Sequence, residues 1–237
     1  MRNEPLLYDL TDSPFCAKAR IALNLKGITW RRVTLTIGRL RELKRLSPVG
    51  KVPVLVDGTR VVPDSSAILR YLEVQHPEPS LLPNDPAARA YCEVLEDWAD
   101  EALYPIVGAF KWLNRENRAR ALAATVDEIA HGPLRPLVAI AIVRRIRRRF
   151  AALGIREESL AELTSRMRES LRNVDTLLDG RPFLLGRQPL LCDIAVFAQL
   201  SWMRGYAEGR LLDHVPAVVA WLDRMSGIPA VDAACSP

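Results

Sequence analysis

The short stretch Ser13-Pro14-Phe15-Cys16 carries the residue types best suited to chemistry. Ser13 is a preferred N-cap residue and Pro14 suits the first helical position, so the stretch predicts the start of a helix. The first N–H groups of a helix have no intrahelical partner, and with the helix dipole they favour an anion such as a thiolate. Because helix starts lower thiol pKa values from about 8.5 to roughly 3.5–7.5, the stretch could activate a ligand's sulfur or Cys16 itself. A capped helix with a buried cysteine is also consistent with these residues.

Two further motifs offer groups that could hold a ligand. Val52-Pro53 precedes a predicted strand, and a cis peptide there would expose the backbone of Val52 to an extended, peptide-like ligand. Because only about 5–6% of X–Pro bonds are cis, the residues alone favour the trans form. Asp64-Ser65-Ser66 predicts a helix start whose N–H and hydroxyl groups could hold a carboxylate, while Asp64 suits an ammonium group. An ordinary N-cap explains Asp64-Ser65-Ser66 equally well.

The predicted elements around these motifs alternate between strands and helices. A short apolar run and a β-branched run predict strands, Asp57-Gly58 predicts a hairpin turn, and capped apolar stripes at helical spacing predict helices. The predicted order over the first eighty residues is a strand at 6–10, a helix from 14, a strand at 29–36, a short helix at 40–46, a hairpin around 57–58 and a helix after 64.

The rest of the chain has a different pattern. Prolines are closely spaced up to residue 86, which predicts a linker at 80–86 between one domain at 1–79 and another at 87–237. Beyond the linker we predict only helices, at 87–113 with a bend at Pro105, and at 157–179, 192–207 and 214–226. The segment 114–156 is interrupted by Gly and Pro and is left unassigned.

The charge distribution favours a small anionic ligand near the N-terminus. Residues 1–79 contain 13 Lys and Arg against 8 Asp and Glu, whereas residues 80–237 contain 20 of each, so the net charge of +5 lies entirely in the first third. A positive region of this kind attracts small anions. No nucleic-acid recognition motif is present, so nucleic acid is not a predicted partner.

The cysteines and the apolar stretches predict a cytoplasmic protein. Cys16, Cys92, Cys192 and Cys235 form no C-x-x-C pair and no metal-ligand pattern, so we expect free thiols in a reducing compartment and no bound metal. The first five residues contain no apolar signal region, and the most apolar stretch is far shorter than the ~20 residues that span a bilayer. Membrane association is therefore not predicted.

Taken together, the order of these motifs resembles the N-terminal domain of the glutathione transferase superfamily. The matching features are the Ser-Pro-Phe-Cys helix, Lys51-Val52-Pro53, the hairpin and the Asp64-Ser65 helix, and a helical second part extends the resemblance over nearly the whole chain. The fold class it implies is α/β plus all-α, with a thioredoxin-like glutathione-binding domain followed by an all-helical substrate-binding domain. It also implies a homodimer.

The resemblance implies a function and two candidate catalytic residues. The protein would bind glutathione as co-substrate and transfer its thiolate to a small apolar electrophile. Ser13 matches the position whose hydroxyl faces the glutathione sulfur, and Cys16 matches the second cysteine of the thioredoxin-type turn. One alternative gives the chemistry to Cys16, as a thiol that forms a mixed disulfide with glutathione. Tyr8 lies too early on its strand to match the catalytic tyrosine of other classes.

The same resemblance implies which residues hold the tripeptide. Val52 would pair through its backbone with the cysteinyl part, with Pro53 cis. Asp64 and Ser65 would hold the γ-glutamyl end, and Lys51 would meet the glycyl carboxylate. These five residues are the predicted glutathione-binding set.

One departure from the family pattern and a second resemblance favour a further alternative, a non-catalytic interaction module. Leu190 stands where the family has a capping Ser or Thr three residues before Asp193, which predicts a half-missing helix cap. The segment 145–200 also resembles the metaxin-like branch of the superfamily.

Another departure from the family pattern is the segment 114–156, which is longer than a compact transferase helical domain needs. The arginine run 144–149 could bind phosphate or an anionic lipid surface, but five arginines cannot share one helix face, which favours a solvated helix paired with acidic residues such as the cluster at 93–101.

Overall fold

The structure, a computed structural model, describes residues 4–235, so the first three residues of the chain, part of the predicted leaderless N-terminus, lie outside it. The predicted order of strands and helices over the first eighty residues is confirmed, although the second strand is shorter than predicted. The elements are β1 (Leu6–Asp9), α1 (Pro14–Leu25), β2 (Arg31–Thr34), α2 (Leu40–Leu46), β3 (Val54–Asp57), β4 (Arg60–Pro63) and α3 (Ser65–Gln75).

The four strands form one mixed sheet in the order β2-β1-β3-β4. β2 runs parallel to β1, whereas β3 runs antiparallel to β1 and places Val54 opposite Tyr8. Side chains alternate between the faces of a strand, so Tyr8 packs with Leu43 of α2, while Leu7 packs in the larger core with α1 and α3. This register brings the end of β1 and the beginning of β3 to the same edge of the sheet.

The remainder of the described chain is helical, as predicted. Its helices are α4 (Pro86–Trp98), α5 (Tyr104–Leu113), α6 (Arg115–Ile129), α7 (Arg135–Ala152), α8 (Leu160–Leu177), α9 (Leu191–Met203), α10 (Pro216–Ser226) and α11 (Pro229–Cys235). A π-helical turn at Ala99–Leu103 separates α4 from α5, and Pro105 lies in the first turn of α5, where its missing N–H costs nothing; the bend at Pro105 stays a prediction.

The segment left unassigned by the sequence forms the helix pair α6 and α7. Helix α7 packs closely on α5 because Gly108 has no side chain. A Cβ atom at Gly108 would lie 2.9 Å from the Cζ of Phe150, closer than packed side chains approach. Gly108 therefore fixes how near α7 comes to the rest of the helical part.

Helix α1 joins the two parts of the chain. Its Arg20 Nε donates to the carbonyl of Ala234 at 2.7 Å, and Asn24 Nδ2 donates to the carbonyl of Ala230 at 3.0 Å. Helix α9 packs along the same helix, so the C-terminal helices cover the element that begins at Ser13. The position of Ser13 thus depends on both parts of the fold.

A buried ion cluster connects α1 to α3 and α4. The Nζ of Lys18 lies 2.5 Å from carboxylate oxygens of both Glu96 and Asp100 and 3.0 Å from the hydroxyl of Ser66. The prediction that the acidic residues at 93–101 pair with the arginine run is therefore wrong for these two, because a buried lysine needs their charge more than an exposed arginine does.

Residues 4–235 contain neither a membrane-spanning helix nor a metal-binding cluster. None of the helices found between residues 4 and 235 is long and apolar enough to cross a bilayer. The same residues contain no group of three or more His, Cys, Asp or Glu side chains placed to hold a metal ion.

Candidate functional site

The three motifs singled out in the sequence meet at one edge of the sheet. The backbone N–H of Asp64 donates to the carbonyl of Pro53 at 3.3 Å, which joins the start of α3 to the turn before β3. Because Val54 pairs with Tyr8 of β1, the turn also lies beside the end of β1, from which the chain runs into Ser13. The fold therefore gathers residues that are up to fifty positions apart.

Ser13 is the N-cap of α1, as predicted. Its backbone is extended (φ −111°, ψ 120°), and its hydroxyl oxygen accepts from the backbone N–H of Cys16 at 3.4 Å. Since the oxygen serves as acceptor, the hydroxyl hydrogen is available to donate. The half-buried side chain thus presents an O–H donor at the positive end of a helix.

Cys16 lies next to this helix start but is fully buried. Burial raises the pKa of the Cys16 thiol well above its usual value, and the nearby charge of Asp9 acts in the same direction. Of the two sulfurs that the helix start could activate, the Cys16 thiol is therefore disfavoured, because loss of solvent opposes its ionisation. The burial of the thiol disfavours the alternative of thiol–disulfide chemistry at Cys16, which stays a prediction.

The Val52–Pro53 peptide bond is cis. The trans form expected from the residues alone is wrong, whereas the cis form implied by the family resemblance is confirmed. Pro53 is buried and Val52 is half-buried, so the turn is anchored at its proline and open at the preceding residue. Lys51, immediately before it, is exposed.

The start of α3 holds a buried hydroxyl that has no protein partner. Asp64 caps the helix by accepting from the N–H of Ala67 at 3.1 Å, in a left-handed backbone conformation (φ 79°) that is rare outside glycine. Ser65 is 1% exposed, and its oxygen makes no hydrogen bond within residues 4–235. Because an unsatisfied buried polar atom costs about 1–3 kcal/mol, this hydroxyl indicates a place for a polar ligand group.

The helical part holds the residue immediately before Ser13. Asp12 accepts from the Nζ of Lys111 at 2.5 Å, from the indole N–H of Trp202 at 2.7 Å and from the hydroxyl of Thr125 at 3.2 Å. The Lys111 ammonium also lies 3.4 Å from the centre of the Trp202 ring. The carboxylate of Asp12 is thus held by three helices, which fixes the turn that carries Ser13.

A second set of contacts holds Thr11 in the same turn. Its backbone N–H and its hydroxyl donate to the carboxylate of Glu128 at 2.9 and 3.0 Å. Arg32 of β2 completes the set, with one nitrogen 2.6 Å from Glu128 and another 2.6 Å from the buried carboxylate of Asp9. Neither set has a local sequence pattern, since most of the partners are about 100 to 190 residues apart along the chain.

Two tyrosines near the site have contrasting surroundings. The ring of Tyr104 lies 4.7 Å from that of Phe15, centre to centre, and the Arg149 guanidinium lies 5.2 Å from the Tyr104 ring. Tyr8 is buried, and burial with its hydrogen bond to Glu42 raises its pKa to about 12. A tyrosine with so high a pKa is a poor partner for a thiolate, which agrees with its exclusion from the predicted catalytic residues.

The environment of Lys111 leads to a pH-dependence prediction. Burial lowers its pKa from 10.5 to about 7, although Asp12 acts in the opposite direction. Between these two values the unfolded chain binds more protons than the folded chain. The folded state should therefore gain stability as pH rises through this window, by at most about 1.4 kcal/mol per pH unit.

Comparison with Lys111→Met isolates this contribution, because every other titrating group is present in both proteins. Urea unfolding at several pH values between 7 and 10.5 should show the free energy of unfolding of the wild type rising relative to that of the variant. A difference that stays constant across the window would contradict the lowered pKa.

Comparisons with known proteins cover most of the chain. Residues 7–80 match the family model "Glutathione S-transferase, N-terminal domain", and residues 157–224 match "Glutathione S-transferase, C-terminal domain". Maleylacetoacetate isomerase of Mus musculus is 34% identical over 125 residues, which cover 49% of this chain and 57% of that protein. Protein LigF of Sphingobium sp. (strain NBRC 103272 / SYK-6) is 28% identical over 95% of this chain and 90% of its own length.

The sequence matches cover only part of several relatives, whereas the similarity in fold to solved structures covers nearly the whole chain. The chain spans 40% to 57% of the length of the first curated relatives, glutathione S-transferase Z2 of Arabidopsis thaliana and the mouse isomerase. The crystal structure of beta-etherase LigF from Sphingobium sp. strain SYK-6 matches with a TM-score of 0.74 at 24% identity, over 97% of this chain and 98% of that one. A glutathione transferase family member from Pseudomonas fluorescens pf-5, solved with two glutathione bound, matches with a TM-score of 0.72 at 21% identity, over 98% and 92% of the two chains.

Proposed function

Because this chain belongs to the glutathione S-transferase family, we propose that it binds glutathione and transfers its thiolate to a small hydrophobic electrophile. The observation that carries the proposal is the unpartnered buried hydroxyl of Ser65, at the same sheet edge as the O–H donor of Ser13. The Ser65 hydroxyl is suited to bind a polar end of the tripeptide, and the Ser13 hydroxyl is suited to face its sulfur.

In the proposed reaction the protein's own nucleophile is not required. The Ser13 hydroxyl donates a hydrogen bond to the glutathione sulfur, and the start of α1 stabilises its negative charge, so the thiol loses its proton to solvent more easily. The thiolate then attacks a carbon of the electrophile and forms the sulfur–carbon bond. The leaving group departs with its electron pair. Cys16 stays buried throughout.

The predicted binding set would hold the rest of the tripeptide. Val52 pairs through its backbone with the cysteinyl part, since the cis bond to Pro53 leaves Val52 at the open side of its turn. Ser65 and the free N–H groups of α3 hold the γ-glutamyl carboxylate, and Asp64 holds the ammonium. Lys51 is exposed beside them and meets the glycyl carboxylate.

A calorimetric titration with glutathione tests the proposal. We expect binding in the micromolar to millimolar range, weakened about tenfold in Ser65→Ala because one hydrogen bond to a charged group is lost. Ser165→Ala is the matched control, since Ser165 is exposed on α8 and bonds only within its own helix. Absence of binding at millimolar glutathione would contradict the proposal. Binding without turnover of any electrophile would favour the non-catalytic interaction module.

The similarity to maleylacetoacetate isomerase favours a second candidate function, a glutathione-dependent isomerase. Both candidates begin with the same thiolate, but only a transferase consumes glutathione. Measuring glutathione loss per product formed distinguishes them, because the expected ratio is one for a transferase and zero for an isomerase.

We also propose that the protein is a homodimer whose contact uses the groove between β4 and α3. This concavity of about 850 Å³ is lined by apolar residues such as Val61 and Val74 and by the arginines Arg60 and Arg70. On α4, Tyr91 is 66% exposed and Val94 is 64% exposed. The acidic residues Glu93 and Asp97 are exposed on the same helix, so the α4 surface offers apolar and negative groups to a groove lined by apolar and positive ones.

Light scattering coupled to gel filtration tests the dimer. Val94→Glu should place a charge in the contact and yield the mass of a monomer, because burying an unpaired charge is costly. Leu137→Glu is the control, since Leu137 is equally exposed, at 65%, but lies on α7. A monomeric wild type, or a Val94→Glu variant that keeps the dimer mass, would contradict the proposal.

We also propose the domain boundaries that the sequence predicts: a glutathione-binding domain at 1–79, a linker at 80–86 and a substrate-binding domain at 87–237.

The four cysteines are free in the structure, and three of them are buried. Free thiols are stable in a reducing compartment, which supports the cytoplasm as the proposed location.

A further inference from the structure

A second pocket, remote from the proposed glutathione site, is lined by arginines. It has a volume of about 480 Å³ and lies where the end of α5, the start of α6, the end of α7 and the turn before α8 meet. Its apolar floor includes Leu113 and Ile155. We call it the arginine pocket, after the four arginines in its wall: Arg115, Arg118, Arg147 and Arg156.

Three of these arginines converge on a single carboxylate. Nη2 of Arg118 and Nη2 of Arg147 lie 2.8 and 2.6 Å from the same oxygen of Glu157, and Nη2 of Arg115 lies 3.4 Å from the other oxygen. Although loss of solvent acts in the opposite direction, these arginines hold the pKa of Glu157 below its usual range. Glu158 also lines the pocket, so the four arginines of its wall face two carboxylates and leave an excess of two positive charges.

The arginine pocket also contains an unused donor. The Nε of Arg118 is buried and has no hydrogen-bond partner within the described residues. The nitrogens of a guanidinium form a planar fork that matches two oxygens of a phosphate or carboxylate group. Arg118 is anchored through Nη2 to Glu157 and to the carbonyl of Leu113, and its buried Nε is the donor left without a partner among the described residues.

We propose that the arginine pocket binds the phosphate group of a small molecule or of a lipid headgroup. A phosphate matches the site better than a carboxylate, because it carries up to two negative charges and its tetrahedral oxygens reach several guanidinium groups at once. The site is independent of the proposed glutathione chemistry, since no residue of the predicted glutathione-binding set lines it.

The exposed residues of α7 suggest a lipid headgroup as one candidate source of the phosphate, beside a soluble compound. Arg144, Arg145 and Arg148 are exposed, as the solvated interpretation of the arginine run predicted. Further toward the N-terminus of the same helix, Leu137 is 65% exposed and Ile140 is 50% exposed. Basic and apolar side chains along one exposed helix suit an anionic membrane, whereas guanidinium groups that converge around one pocket suit a soluble phosphate compound.

Titration with inorganic pyrophosphate, followed by calorimetry, tests the pocket itself. We expect Arg147→Gln to weaken binding about tenfold or more, because a charge-assisted hydrogen bond is lost. Glu157→Gln should strengthen it, because a competing negative charge is removed. Opposite changes in affinity for the two variants would exclude a merely structural role. If Arg147 and Glu157 only held the pocket together, both substitutions would weaken binding.

Controls keep the test decisive. Arg115 is 84% exposed, so Arg115→Gln serves if Arg147→Gln fails to fold. Arg168→Gln, on the exposed side of α8, makes the same charge change away from the pocket and should leave the affinity unchanged. No binding of pyrophosphate at millimolar concentration, or equal weakening in Glu157→Gln and Arg147→Gln, would overturn the proposal.

Vesicles distinguish the two sources of phosphate. The protein is sedimented with phosphatidylcholine vesicles that contain or lack phosphatidylglycerol. Binding to the phosphatidylglycerol vesicles that is lost in Arg147→Gln would support a lipid headgroup as the ligand. Pyrophosphate binding without vesicle binding would support a soluble phosphate compound.

Discussion

Replacing Ser13 with alanine is expected to lower kcat/KM for glutathione conjugation by about a hundredfold or more, the usual effect of removing one donor from a developing anion. The hydroxyl oxygen already accepts from the N–H of Cys16, so its hydrogen is the group left to face the sulfur. Without it the bound thiol should ionise at higher pH. The measurement is the pH profile of kcat/KM with a chloronitrobenzene electrophile, whose acidic limb should shift upward in the variant.

Cys16→Ala is the matched control for this prediction. The thiol is fully buried and its pKa is raised by burial, so its removal should leave conjugation within a few-fold of the wild type. Ser13→Ala also removes a helix cap, worth about 1 kcal/mol, and its unfolding curve must be recorded beside its activity. A large loss in Cys16→Ala with little change in Ser13→Ala would reverse the assignment.

Replacing Asp193 with alanine is expected to lower the free energy of unfolding by about 3–5 kcal/mol, because several buried donors lose their acceptor together. Asp193 is fully buried and accepts from the backbone N–H groups of Leu184 and Leu190, at 2.9 and 3.0 Å, and from the indole N–H of Trp221 at 2.9 Å. It thereby ties the loop before α9 to both α9 and α10. Chemical denaturation followed by circular dichroism measures the change.

Asp223→Ala is the control for the effect of Asp193. Asp223 is 64% exposed and forms an ion pair with Arg204 at 2.7 Å, so its loss should cost less than about 1 kcal/mol. Similar losses in the two variants would show that the buried contacts of Asp193 add little stability.

The contacts of Asp193 agree with the half-missing helix cap predicted at Leu190. The side chain of Leu190 offers no oxygen to cap α9, as the sequence indicated. The other half of the usual arrangement is nevertheless intact, because the Asp193 carboxylate accepts from the Leu190 N–H. The departure is therefore a poor argument for a decayed site.

Much of the fold followed from local chemistry in the sequence. Ser13 and Pro14 predicted the start of α1, Asp57-Gly58 predicted the hairpin, and Asp64 predicted the start of α3; each prediction is confirmed. In each case the decisive contacts join residues within about four positions of one another. Such contacts depend on nearby residue types, so propensity and capping predict them from the sequence, while tertiary packing stabilises them.

The state of each site residue depended on contacts that only the tertiary structure supplies. The cis bond before Pro53, the burial of Cys16 and the unpartnered hydroxyl of Ser65 have no local signature. Desolvation and long-range ion pairs depend on what packs over a group, and here those partners come from helices far along the chain. The stretch Ser13-Pro14-Phe15-Cys16 therefore determined by itself where a helix would begin, whereas only the tertiary structure decided that the Cys16 thiol is fully buried.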